Sequence, residues 1–268
     1  MQPDSRPFEV AVLLSVGRHP LTGRARRADH DARGLELALG LSRNLDRLQV
    51  RVLHAGHHDA DNDAALRGYL GMGLEALTLV EQPAGADVIP ALADVLAMAP
   101  PQLVVTGSRA ECGEGSGLVP YALAERLGWP LVNGVVEVES IDKGVATLLQ
   151  ALPRGQRRRL TVRLPAILSV DAAAPAARQS AFGPAQRGAL DSLQEVAIID
   201  EELTEWTFSP ARRRPKRLKI IKATSARERF KAAAAKAEGG GGQVLSNVTP
   251  EQGAEAVYKL LEEEGVLR

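Results

Sequence analysis

The feature that most constrains this chain is an alternation, repeated four times in its first half, of a short apolar run with a segment whose apolar residues recur at helical spacing. The run FEVAVLL at 8–14 has strand character and is broken by Gly17, Arg18, His19 and Pro20. Asp31 is placed to cap the helix that follows, on which Leu35, Ala38, Leu39 and Leu45 fall on or near one face. The unit recurs as strand 48–54 with helix 64–70, strand 76–80 with helix 88–98, and strand 103–106 with helix 118–127. A parallel neighbour can be reached only by a crossover, so consecutive units of this kind predict an α/β fold, a mostly parallel sheet with helices on both faces. Apolar residues make up 45% of the chain but aromatics only 3%, so the core must be built from Ala, Val and Leu.

After Pro130 the rhythm changes. Segments 135–141, 145–151 and 160–170 have no helical period between them and predict antiparallel strands or a hairpin added to the same domain. Beyond Asp171 a stretch rich in Ala, Pro and Gly predicts an exposed loop at about 172–188, closing an α/β domain at 1–190. Residues 191–268 then read as an extended arm: Trp206 and Phe208 lead into a basic run at 212–219, an Ala/Lys stretch, and four glycines at 239–242. The arm ends in a well-signalled helix, with Thr249 as N-cap, Pro250 at the first helical position, Gln252 completing a capping box, and Gly265 as the stop. Ala254, Val257 and Leu261 share one face of it. A helix of about fifteen residues is marginal alone, so it is expected to dock on something.

Charge and cysteine content exclude several classes of function. Lys plus Arg and Asp plus Glu each number 33, so no long-range field recruits nucleic acid or an anionic membrane, and the basic run lacks the interleaved aromatics that stack bases. Cys112 is the one cysteine, which rules out an internal disulfide and fits a reducing compartment. Nothing approaches the roughly twenty apolar residues of a membrane span. The expectation is a soluble cytoplasmic chain, without nucleic acid and without direct membrane insertion.

The most informative local feature is the loop after the fourth strand, Gly107-Ser108-Arg109-Ala110-Glu111-Cys112-Gly113-Glu114-Gly115-Ser116-Gly117. It leads from a parallel strand's carboxyl end into a helix start, where open α/β sheets bind ligands and where main-chain amides can hold a phosphate. A solvent loop with glycines for its turns is the other reading of the same residues. It is not a Walker loop, since no Gly-Lys-Ser/Thr follows. Gly71-Met72-Gly73 imitates a dinucleotide fingerprint but ends a helix instead of opening one, so it reads as a C-cap and turn. Asp59, Asp61 and Asp63 alternate like a calcium loop, yet Ala64 and Leu70 stand where that template needs Gly and Glu. His54, His57 and His58 have no second ligand cluster and read as a solvated strand-to-helix loop. Ser116 lacks a nucleophile-elbow spacing, Cys112 has no identifiable histidine partner, and no two acids stand out as an acid–base pair. The chain is therefore not expected to make or break substrate bonds itself.

Four segments together resemble the beta subunit of electron transfer flavoprotein. They are DARGLELAL at 31–39; Leu66-Arg67 with Met72-Gly73; the 107–117 loop with AERLGWP at 124–130; and RLPAILSVD at 163–171. Their order and spacing agree over nearly the whole chain, including the basic arm and terminal helix. The resemblance implies a Rossmann-like, adenine nucleotide hydrolase-like domain in a heterodimer with a homologous alpha subunit. In the family one FAD, held mostly by alpha, carries electrons from a flavin-dependent dehydrogenase to a membrane-linked quinone oxidoreductase. The beta subunit buries AMP and sends its arm around alpha. Carried onto this sequence, the AMP contacts fall at Val12, at Ala28 through Asp31, at Ala55, and in the loop at Gly107, Ser108, Arg109, Gly113, Gly115, Ser116 and Gly117. The loop near His19 would face the flavin, and Phe182 stands at about the apolar anchor that captures the dehydrogenase. Where the family has Asn-Pro-Phe, this chain has Ala28-Asp29-His30, and its lysine-rich stretch is replaced at 186–192, departures that bear on which nucleotide is held and which dehydrogenase donates. Read without the family, the same sheet-end loop would suit an adenine-nucleotide-binding regulatory domain with no redox role.

Overall fold

The computed structural model describes residues 7–43, 45, 47–112, 115–199, 201–207, 209, 225–227, 245–246 and 248–263. Contacts divide the chain into two units, Met1–Trp206 and Thr207–Arg268. In the first, strand β1 (Phe8–Leu13) leads into a small antiparallel hairpin, β2 (Val16–Arg18) and β3 (Ala25–Arg27), before helix α1 (Asp29–Gly40). Strand β4 (Leu48–Gly56), helix α2 (Ala60–Leu70), strand β5 (Ala76–Glu81), the two-residue β6 (Ala86–Asp87), helix α3 (Val88–Met98), strand β7 (Leu103–Gly107) and helix α4 (Val119–Leu127) follow. Then come β8 (Leu131–Asp142), β9 (Val145–Ala151), β10 (Arg157–Arg163) and β11 (Ala166–Val170). Helix α5 (Phe182–Arg187), β12 (Ala189–Gln194), β13 (Ile198–Ile199) and the short α6 (Glu201–Glu205) complete the unit.

The main sheet has nine strands in the order β10-β9-β8-β11-β7-β1-β4-β5-β12, antiparallel only where β9 meets β8 and β10. The four expected βα units are all present. Burial on both faces follows the period of two along each strand. Val10, Val12, Val52, Leu103, Val105 and Leu168 pack with Leu35 of α1 and Leu66 and Tyr69 of α2. Ala11, Leu13, Leu53, Val104 and Ile167 pack on the opposite face with Leu92 and Leu96 of α3 and Leu123 of α4.

Several local expectations are corrected. Asp31 does not cap α1: Ala28 holds the N-cap position without a side-chain bond, and Asp31 lies inside the first turn, almost wholly buried. The second helix starts at Ala60, because Asp59 accepts from the Asn62 amide at 2.7 Å. The run at 160–170 is two strands, parted at the cis Leu164–Pro165 peptide; proline has no amide hydrogen for a ladder. The expected loop at 172–188 contains α5 and is tied down. Arg178 grips the Glu36 carboxylate at 2.7 and 2.9 Å, Arg33 donates to the Ala174 carbonyl, and the Ala181 amide donates to the Gly71 carbonyl at 2.8 Å. A Cβ on Gly71 would fall 2.0 Å from Ser180 Oγ, so that glycine admits the passing loop as well as ending the helix. β12 pairs in parallel with β5 along its length, so the main sheet continues across the expected boundary at 190.

In the second unit, helix α7 (Pro250–Glu263) begins with the expected capping box: the Gln252 amide donates to Thr249 Oγ1 at 3.4 Å, and the Thr249 amide to Gln252 Oε1 at 3.1 Å. The basic run at 212–219, Phe208, the glycines at 239–242 and Gly265 lie outside the described residues.

Candidate functional site

Strand order reverses at β1, whose neighbours β4 and β7 are reached by crossovers in opposite directions, so the switch-point crevice opens at the carboxyl ends of β1 and β7. Its polar groups are mostly bound to one another. The Asp31 carboxylate accepts from the Ser15 amide at 2.6 Å, from Ser15 Oγ, and from the Gly107 amide at 3.1 Å. Burial pushes its pKa up to about 6, opposed in part by those donors. Gly107 has to be glycine, because a Cβ there would meet Asp31 Oδ1 at 2.2 Å. Below this, the fully buried Tyr69 hydroxyl accepts from the Ala28 amide at 2.8 Å and donates to the Ser15 carbonyl at 2.9 Å. Burial raises the phenol well above its usual pKa, which keeps it a donor.

The loop after β7 folds back over the start of α1. Ser108 Oγ and His30 Nδ1 are 2.7 Å apart. Glu111 accepts from the Asp29 amide at 2.9 Å and from Arg26 at 2.8 Å, so a carboxylate of the chain holds the first amide of α1 and the hairpin strand β3. The hairpin tip carries the exposed His19, whose Nδ1 accepts from the Leu21 and Thr22 amides at 3.3 Å and leaves Nε2 as the donor. Further along, Gly115 and Gly117 take φ values of +63° and +80°, and Ser116 Oγ accepts from the Leu118 amide at 3.1 Å just before α4.

The residues singled out in the sequence thus separate into groups. Ala28, Asp31, Gly107 and Ser108 are joined around the crevice, and Ala55 lies at the end of the neighbouring β4. Val12 is fully buried in the sheet core, so only its main chain can border a ligand. Arg109 and Ser116 are exposed, while Gly113 lies outside the described residues. Phe182, 82% exposed, instead borders a hollow of about 510 Å³ on α2, with Asp63, Arg67, Gly68 and Ala185. A second hollow, of about 460 Å³, is lined by Arg26, Arg27, Asp29 and residues of α2; neither hollow is lined by the 107–117 loop.

Sequence pattern does not single out Ser15, Tyr69 or His54 as site residues, whereas His30 falls within the expected stretch from Ala28 to Asp31. His54 is not in a solvated loop but 94% buried within β4, its exposure being 6%, and Nδ1 lies 2.8 Å from the Leu14 carbonyl. The signal was available: His54 directly follows the apolar Val52 and Leu53 within a run of strand character. The three aspartates are otherwise engaged, Asp59 as the cap of α2, Asp61 3.6 Å from Arg18, and Asp63 with Arg67 at 2.8 Å. No group of side chains among the described residues is arranged to hold a metal ion.

A doubly wound sheet with a glycine-rich loop at its switch point is the frame of a Rossmann-like nucleotide-binding domain. The family model described as "Electron transfer flavoprotein domain" matches residues 22–197. Over its whole length the chain is 65% identical to a protein of Chromohalobacter salexigens named "Electron transfer flavoprotein subunit beta", with all of both chains covered. It is 34% identical to the "Putative electron transfer flavoprotein subunit YgcR" of Escherichia coli over 39% of this chain and 41% of that one. It is also 33% identical to an "Electron transfer flavoprotein subunit beta" of Syntrophomonas wolfei, over 52% and 55%. The chain belongs to the electron transfer flavoprotein family, on its beta-subunit side. It is an electron carrier subunit and not a substrate-converting enzyme, which decides against the regulatory-domain reading. No helix among the described residues is long and apolar enough to cross a membrane.

Proposed function

We propose that this chain pairs with an alpha subunit, shares an FAD with it, and passes electrons from a flavin-dependent dehydrogenase towards a quinone oxidoreductase, working in the cytoplasm. The observation that carries the reading is the end-to-end identity with the Chromohalobacter protein named as a beta subunit. The flavin, when bound, supplies the reversible electron chemistry, and this chain supplies position. Glu111 holds Arg26 of the hairpin, so the turn bearing His19 is fixed relative to the glycine loop, with Nε2–H available as a donor.

An adenine nucleotide, AMP as the first candidate, belongs at the carboxyl end of the sheet. The fit rests on the end of β4 and on the second half of the loop. Ala55 and Gly56 pass beyond the last rung to β1, and the positive φ values of Gly115 and Gly117 are of the kind that lets amides converge. The amide of Gly107 is already taken by Asp31, and that of Asp29 by Glu111, so a phosphate would use the amides at 115–117 and the start of α4. Phe182 is the anchor offered to the dehydrogenase, and the arm from 207 onward, ending in α7, holds alpha. Coexpression with an alpha-type chain, followed by a visible spectrum and extraction of bound nucleotide, tests the reading; a stable complex without flavin absorbance would overturn it.

A further inference from the structure

One polar atom at the sheet end is used by none of the interactions above. The ladder between β1 and β4 ends where the Leu14 amide donates to the Leu53 carbonyl at 2.9 Å. One rung further, the Ala55 amide would donate to the Leu14 carbonyl. The His54 ring takes that carbonyl instead, at 2.8 Å. A carbonyl oxygen only accepts, so Nδ1 carries the hydrogen, and burial, which lowers the ring's pKa, keeps the imidazole neutral. Nε2 is then a lone-pair acceptor, and among the described residues it has no hydrogen-bond partner.

The space beside that atom is kept open by a glycine. Gly56 has φ +159°, and a Cβ built on it would lie 3.0 Å from Nε2 and 3.4 Å from Cε1. Any other residue would crowd the nitrogen. A neutral acceptor in a 94% buried ring, at the crevice end of β4 and next to the strand end expected to meet a nucleotide, lacks only a donor.

We propose that His54 is a ligand-binding residue of the nucleotide site, its Nε2 accepting a hydrogen bond from an N–H or O–H of an adenine nucleotide beside Gly56. This rests on the proposal that the chain holds such a nucleotide. Two groups share the required chemistry, the exocyclic amine of the base and a ribose hydroxyl. In either case His54 contributes to selection, because a nucleotide that turns an acceptor towards Nε2 leaves two lone pairs opposed.

The test uses the heterodimer freed of copurified nucleotide, with calorimetric titration of AMP, IMP and 2′-deoxyAMP. His54→Asn keeps a side-chain N–H able to reach the Leu14 carbonyl and removes the acceptor. His54→Gln places its amide oxygen near the Nε2 position. His54→Asn is expected to weaken AMP binding about tenfold, as loss of one buried hydrogen bond implies. His54→Gln should recover much of that loss. One analogue should bind the wild type less tightly than AMP and lose that difference in His54→Asn: IMP if the base amine is the donor, 2′-deoxyAMP if the ribose hydroxyl is. Equal AMP affinity in wild type and a folded His54→Asn protein would overturn the assignment, as would equal losses in Asn and Gln with the discrimination intact. If the wild type binds flavin but no adenine nucleotide, the assignment falls and the carrier reading stands; if it binds neither, both fall.

Discussion

The carboxylate of Asp31 accepts a hydrogen bond from the main-chain amide of Gly107 at 3.1 Å, tying the first turn of α1 to the end of β7 across the switch-point crevice. Open α/β sheets commonly present such an amide to a ligand's phosphate. Here an internal anion occupies it, so the crevice floor is built before any nucleotide arrives.

That arrangement carries a pH dependence. Asp31 titrates at about 6 in the folded chain against 3.8 as its ordinary value. Between those values the folded state keeps a proton that the unfolded state has lost, so the group's contribution is complete below the lower value and is lost as pH rises through the upper one. A shift of about two units corresponds to about 3 kcal/mol in full. Denaturant unfolding of wild type and Asp31→Asn is therefore expected to show the variant gaining about 2 kcal/mol relative to wild type between pH 4.5 and 7.5. A difference that stays constant across that range would contradict the buried, late-ionising carboxyl.

Gly107→Ala places a methyl 2.2 Å from Asp31 Oδ1 and 2.9 Å from the Asp31 amide, atoms held by backbone on both sides. Relief requires α1 and β7 to part, at a cost of about 1–3 kcal/mol. The variant should unfold at correspondingly lower denaturant and lose nucleotide affinity, whereas Gly40→Ala, with open space around it at the end of α1, should keep its affinity.

How far the sequence foretold these features depends on the range of the interaction. The βα alternation is a local pattern, and the strands and helices of its four units are legible to within a few residues, whereas the short β2–β3 hairpin and β6 are not. The capping box at Thr249 and Gln252 is equally local and forms as read. Asp31 was misplaced because an acid at a helix start is ordinarily a cap. Its inward turn depends on Ser15 and Gly107, and Gly107 is far away in the chain. His54 was misread for a related reason: two neighbouring histidines suggested a loop, while the carbonyl that claims its ring comes from Leu14 on another strand. The break at Pro165 separates β10, at the sheet edge, from β11, which lies between β8 and β7, and these places are set by pairing partners and not by the run itself.

Phe182 begins α5 with 82% of its surface exposed, so its side chain contributes little to folding. Phe182→Ala should change stability by no more than about 0.5 kcal/mol. As an interface anchor it should instead weaken capture of the donor dehydrogenase by about 2 kcal/mol. Stopped-flow transfer from the dehydrogenase should slow at low concentration, with flavin content unaltered. Identical kinetics in both proteins would remove Phe182 from the docking surface.

Deletion of 249–268 removes α7 with its capping box and leaves the nine-stranded sheet complete. Copurification with the alpha-type chain is expected to fall sharply, while circular dichroism of the remaining chain keeps its α/β character. Undiminished copurification would show that the clamp lies elsewhere.

The most direct measurement is coexpression of the full chain with an alpha-type partner, followed by the flavin-to-heterodimer ratio read from the visible spectrum. One flavin per heterodimer, reduced by a dehydrogenase and reoxidised by a quinone oxidoreductase, is the expected result. A stable heterodimer that holds no flavin, or a flavin that the dehydrogenase cannot reduce, would contradict an electron-carrying role.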